Sequence, residues 1–215
     1  MSRLAAELHR LYPPPPPGST QSLLLEVAAP ADWDALGVVW RAVQAELALP
    51  APAIAVSGTD ALQLWFSLQH PVPVARAAAF LARLQDRYLP TLAPARVRTR
   101  ADGPRPDVPA QDPATGNWSA FVAPDLAPVF ADTPWLDIEP GRDGQADLLA
   151  RLAPTTPAAL DAALQLLQPA TPAVAAAPAA GADLDPRAFL QRVLNDEAAP
   201  LALRVEAAKA LLQQR

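Results

Sequence analysis

Leu4, Leu8 and Leu11 recur at helical spacing, which predicts a short amphipathic helix over residues 1–12. Ser22 to Val27 carries the run Leu23-Leu24-Leu25 and reads as a strand. Leu36, Val39, Trp40, Val43 and Leu47 then trace one buried helix face, with Asp32 or Asp34 as cap and Pro50 and Pro52 as its end. Ala53 to Val56 and Ala61 to Leu68 predict two strands around the turn Ser57-Gly58-Thr59-Asp60, a hairpin. In the second of these, Leu62, Leu64, Phe66 and Leu68 share one face, and Gln63, Trp65 and Ser67 share the other. Pro71 and Pro73 lead into a helix of about 15 residues, with Val74, Ala77, Ala78, Leu81, Leu84 and Tyr88 as its apolar stripe. Ala95 to Thr99 and Trp118 to Val122 read as strands, and Trp135 to Asp137 as a short extended piece. Leu126 to Phe130, Gly144 to Leu152 and Pro157 to Leu167 read as helices, and residues 101–117 as a loop.

Proline sets the organisation. Twenty-seven prolines among 215 residues are more than twice the usual share, and they cluster. Pro13 to Pro17 forces a polyproline II rod, read either as a stiff spacer or as a ligand for an aromatic groove on a partner. Residues 169–183 form an Ala/Pro linker with almost no anchoring side chain. The pattern therefore divides the chain into an N-terminal helix with its spacer (1–19), an α+β core (20–168), the linker (169–183) and a helical hairpin (184–215). In the hairpin Asp185 caps, Pro186 starts the first helix, Asn195-Asp196-Glu197 breaks it, and a second helix runs from about Pro200 to Gln213. The expected fold is α+β: a small RRM-like or primase-like sheet with helices on one face, plus the linker-tethered hairpin.

Composition narrows the chemistry. The absence of cysteine excludes disulfides, thiolate metal sites and a cysteine nucleophile, and two histidines, His9 and His70, cannot build a multi-histidine centre. No glycine-rich phosphate loop and no nucleophile elbow occur, so no cofactor is expected. No apolar run is long enough to cross a membrane and no signal-peptide core opens the chain, so a cytoplasmic location without membrane contact is expected. The net charge of −5 hides a division. Seven arginines (76, 83, 87, 96, 98, 100 and 105) face two aspartates between residues 76 and 105. Eight acids face only Arg142 between residues 106 and 148. Two readings stand: an arginine surface for phosphates, or a helix face paired with the acidic segment.

The stretch Ser57-Gly58-Thr59-Asp60-Ala61-Leu62-Gln63-Leu64-Trp65 resembles the second motif of archaeo-eukaryotic primase-type polymerase domains. In that superfamily a Ser-Gly turn and the strand after it present a histidine to nucleotide phosphates. Ser57 and Gly58 match the turn and Trp65 the aromatic, whereas Ala61 and Gln63 stand where glycine and histidine are usual. The family's first motif holds divalent metal with two acids two residues apart. Glu26 matches one, and Leu24 replaces the other. Asp125 and Asp137 are the only candidates for the third motif's acid. One glutamate cannot hold the two cations that nucleotidyl transfer needs, and an amide brings no positive charge to a phosphate. The resemblance thus implies a primase-like scaffold with a degenerate site: Ser57, Gly58 and Gln63 on nucleic acid with Arg76, Arg83, Arg87, Arg96, Arg98 and Arg100, and Glu26 as the remaining metal ligand. Read from its residues alone, the same stretch is a hairpin of an unrelated α+β domain. Asp185 to Leu190 with Leu203-Arg204-Val205-Glu206-Ala207-Ala208-Lys209-Ala210 is similar to short helical segments of small terminase subunit-like phage proteins, which implies a mobile-element setting.

These readings yield a leading expectation: a non-catalytic accessory protein of a bacterial mobile element or prophage, binding nucleic acid or a replication partner. The alternatives are a nucleotidyl-transfer enzyme with a rearranged metal site, and a protein–protein module using the polyproline spacer or the C-terminal hairpin.

Overall fold

The computed structural model describes residues 2–103, 105–168, 186–195 and 201–213. In chain order the elements are α1 (Arg3–Leu11), β1 (Ser19–Ala28), α2 (Trp33–Ala45), β2 (Ala53–Val56), β3 (Ala61–Pro73), α3 (Val74–Tyr88), β4 (Val97–Arg100), β5 (Ala120–Val122), α4 (Arg142–Ala150) and α5 (Pro157–Leu166). Short 3-10 turns occupy Pro94–Arg96 and Ala127–Phe130. Two further helices follow, α6 (Pro186–Asn195) and α7 (Leu201–Gln213). The chain divides into two compact units, Met1–Pro169 and Ala170–Arg215. The first takes in α1 and the proline run together with the sheet. In the second, α6 and α7 lie against each other, and Arg204 Nε donates to the Leu194 carbonyl at 3.1 Å. The Ala/Pro linker 169–183, the Asp185 cap and the break after Asn195 lie outside the described residues.

The fold is α+β, with one five-stranded antiparallel sheet in the order β4-β1-β3-β2-β5. The succession β1-α2-β2-β3-α3-β4 with β1 and β3 central is the ferredoxin-like split βαβ arrangement. Side-chain alternation assigns the two faces. Leu23, Leu25, Val27, Ile54, Val56, Leu62, Leu64, Phe66 and Val97 form one core with α2 and α3, into which α5 also drops Leu160 and Ala163. Leu24, Ala53, Ala55, Trp65 and Phe121 form a second core with Leu4, Leu11, Tyr12, Val108, Ala146 and Leu149. So α1 and α4 cover the opposite face of the sheet. The uninterrupted Leu23-Leu24-Leu25 run reflects that double burial.

Three local differences from the sequence pattern have simple causes. The strand β3 runs through Pro73 instead of stopping at Leu68, because Thr20 and Ser19 of β1 pair with Val72 and Pro73 past a register shift in which residues 68–71 of β3 lie opposite Gln21 alone. Beyond Leu68 its other edge is free of β2, so proline is tolerated there. A single residue, Thr155, covers part of that edge by bonding Ser67 and Gln69 at 2.8 and 2.9 Å. Arg96 lies in a 3-10 turn, so β4 begins only at Val97. At β5, three residues long, Trp118 instead bridges Gln111 and Leu136.

Arginines clamp helix ends onto this frame. Arg10 of α1 donates to the Leu149 and Leu152 carbonyls at the end of α4, at 2.9 and 3.0 Å. Cationic donors at a helix C-terminus satisfy carbonyls that have no intrahelical partner. At the outer edge of β5, the buried Gln145 side chain acts as a strand substitute. Its Oε1 accepts from Phe121 N at 2.7 Å and its Nε2 donates to Phe121 O at 2.9 Å. Gln145→Ala is therefore expected to cost about 2–4 kcal/mol in urea unfolding, since two buried backbone groups lose their partners at once. An unchanged midpoint would mean that the β5 edge is closed by something else.

Candidate functional site

The Ser-Gly hairpin and the strand positions facing it form one polar row on the α1/α4 side of the sheet. Backbone register sets it: Glu26 of β1 lies opposite Gln63 of β3 on one side and Arg98 of β4 on the other. Gln63 Nε2 donates to Glu26 Oε1 at 2.6 Å, and Trp65 Nε1 donates to Gln63 Oε1 at 2.8 Å. Arg98 Nε lies 3.6 Å from Glu26 Oε2, and its two terminal nitrogens fork onto Asp60 at 2.7 and 3.1 Å. Gln63 is 3% exposed and Glu26 9%, so the amide and carboxylate are shielded from solvent. Over the row lies an aromatic cluster: Trp65 meets Tyr12 and Phe121 edge-on, at centroid distances of 5.4 and 5.7 Å. The Tyr12 hydroxyl, raised well above its ordinary pKa by burial, donates to the Trp65 carbonyl at 3.4 Å.

The turn is equally committed. Ser57 Oγ accepts from the backbone N–H groups of Thr59, Asp60 and Ala61 at 3.1, 3.0 and 2.9 Å. Gly58 N donates to Pro134 O at 3.0 Å. These are the groups a Ser-Gly turn would otherwise offer to a phosphate. Glycine is required at position 58 on two counts: φ is +84°, and a Cβ there would stand 2.8 Å from Ser119 N.

Asp60 is the titrating end of the row. The Arg98 guanidinium, hydrogen-bonded to it, holds its carboxyl below the usual carboxylate range of about 3.9. A lowered folded-state value stabilises fully above the unfolded value and is lost as pH falls through the folded one. Both side chains are over two-fifths exposed, so the pair contributes at most about 1 kcal/mol. The stability gap between the parent and Asp60→Asn is expected to be present at neutral pH and to close below about pH 4, followed by urea titration. A gap that widened on acidification would contradict the pairing.

The arginines expected to face nucleic acid are distributed along internal contacts. Arg76 pairs with Asp161 of α5. Arg83 and Arg87 donate to the Leu164 and Leu166 carbonyls at 2.8 and 2.9 Å, and Arg87 also reaches Glu46 at 3.2 Å. The helical spacing does put these three on one face of α3, and α5 occupies that face. Arg96 donates to Pro30 O. Arg98 belongs to the polar row, and Arg100, opposite Leu24, has an interaction partner of its own. These partners come from α5, the residues flanking α2, β1 and the Ser-Gly hairpin, not from the acidic segment 106–148.

Structure brings together Glu26, Gln63 and Arg98, with Ser57 and Gly58 in the adjoining turn. It keeps Arg76, Arg83 and Arg87 on the opposite side of the sheet. Among the described residues no three His, Asp or Glu side chains gather as a metal site. Sequence reasoning missed Tyr12 and Gln145, which seal the row's surroundings. The Leu11-Tyr12 pair at the start of the proline run was the available signal for the first, and nothing marked the second. Comparison with known protein families, characterised proteins and solved structures gives no match. No described helix is long and apolar enough to cross a membrane.

Proposed function

We infer that this protein is a non-catalytic accessory module that works by binding a partner, with the primase-like hairpin serving as scaffold. The observation that carries this reading is the filled row Arg98–Glu26–Gln63–Trp65. Gln63 spends its amide on Glu26 and Trp65, Arg98 lies against Glu26, and Trp65 sits in the core beneath α1, Tyr12 and α4, so these side chains are engaged with one another. In RRM-type modules a sheet face carries exposed aromatics for stacking bases. Here the corresponding aromatic, Trp65, is 2% exposed.

Of the two partner classes, a protein is favoured over nucleic acid. Arg76, Arg83 and Arg87 are occupied by α5, and a net charge of −5 opposes phosphate-driven association. Two assays on the full chain test the reading. Nucleotides with a primed template and magnesium or manganese should yield no extension. Fluorescence polarisation of single- and double-stranded oligonucleotides at low salt should stay flat. Extension abolished by Glu26→Gln would restore the rearranged-site enzyme. Salt-dependent binding lost in a folded Arg83→Glu/Arg87→Glu variant would restore the nucleic-acid surface.

A further inference from the structure

We propose that the proline run Pro13–Pro17 is a preformed ligand for an aromatic-lined groove on a protein partner. The proposal rests on the partner-binding reading above and states how that partner takes hold. A proline followed by another proline is confined to extended backbone. Every peptide bond of the run is trans, so it winds as a polyproline II helix rising about 3 Å per residue. The run ends in a turn: Ser19 N and Ser19 Oγ both donate to Pro16 O, at 3.1 and 2.7 Å, and Gly18 stands at φ +76°. Proline in the second place and a positive-φ glycine in the third make this a type II turn, whose second residue keeps an extended backbone. Pro17 therefore continues the rod, and Pro14 and Pro17, three residues apart, share one edge of it.

The structure separates a displayed ligand from a spacer. A spacer holds two bodies apart, whereas both ends of this rod belong to one unit. Tyr12 is buried in the core with Leu4, Leu11 and Trp65, and Thr20 is buried in β1. The rod itself is not absorbed by that unit. Pro14, Pro15, Pro16 and Pro17 are exposed, and no described residue donates to the carbonyls of Pro13, Pro14 or Pro15. A cavity of about 740 Å³ opens beside it, lined by the prolines together with Thr20, Ser22, Val74 and Asp102. Exposed proline rings and unpaired carbonyls on a stiff rod match an aromatic-lined groove. The rings lie between aromatic side chains, and tyrosine or tryptophan donors reach the carbonyls. A rod fixed at both ends has little conformational freedom left to lose on binding.

Isothermal calorimetry of the full chain with an isolated WW domain and an isolated EVH1 domain, two readers of such segments, tests the proposal. At least one probe is expected to bind saturably, with Kd below about 1 mM. The same probe with its groove aromatics replaced by alanine should bind at least about tenfold more weakly, and so should the chain variant Pro14→Ala/Pro17→Ala against the intact probe. The melting temperature of that variant should fall by no more than about 5 °C, the effect of two exposed prolines on the unfolded chain. The proposal is overturned if neither probe binds, if the stripped probe binds equally, or if the chain variant binds as the parent does. A variant that unfolds would mark the run as a strut and overturn it as well. None of these failures touches the accessory reading, which the extension and oligonucleotide assays decide.

Discussion

Replacing Gln63 by leucine is expected to lower the unfolding free energy by about 2–6 kcal/mol, a large effect for one amide. The change leaves two buried groups without their partner: the Glu26 carboxylate loses its 2.6 Å donor, and the Trp65 indole N–H loses its 2.8 Å acceptor. Each orphaned buried group costs about 1–3 kcal/mol, and a charged one more. Leucine fills nearly the same volume, so the loss is electrostatic and not a cavity effect. Urea unfolding followed by tryptophan fluorescence reads it directly. If Gln63 instead faced a ligand, as its place in the primase-type motif implies, the substitution would leave stability nearly untouched.

Trp65→Ala is expected to cost about 3–5 kcal/mol, the range for deleting a large buried aromatic. Trp65 fills the centre of the second core, edge-on to both Tyr12 and Phe121, and it also closes the polar row. The loss should therefore be accompanied by release of α1, whose Leu4 and Leu11 share that core. Hydrogen exchange at α1 amides measures this: protection there should fall further than at α3, which packs on the other face. Equal loss on both faces would mean that the two cores are not separable.

How much of this was legible in the sequence depends on the kind of information. Helices α2 and α3 and the β2–β3 hairpin follow from periodicity and proline position, because a single buried face suffices to specify each. The Ser-Gly turn was legible too, since hydroxyl and glycine chemistry act within four residues. What alternation cannot supply is the partner of the second face. Gln63, Trp65 and Ser67 read as the more polar side of a strand, yet they are buried, because α1 and α4 return to cover them from distant parts of the chain. The spacing of Arg76, Arg83 and Arg87 likewise identifies one helix face without saying that α5 sits on it. Helix-end carbonyls are strong acceptors that no side-chain pattern reveals. Glu26 could be singled out as the one acid on the first strand. Its role could not be read, because that role depends on register with Arg98 across a strand pair separated by some seventy residues.

Glu26 and Gln63 support each other inside the fold through a 2.6 Å hydrogen bond. A double-mutant cycle of Glu26→Leu and Gln63→Leu, read as unfolding free energy in urea, measures that support. The predicted coupling is about 1.5–3 kcal/mol, with the double variant far less destabilised than the two single losses combined. Free energies that add to within about 0.5 kcal/mol would contradict it and return the pair to the role of an open site.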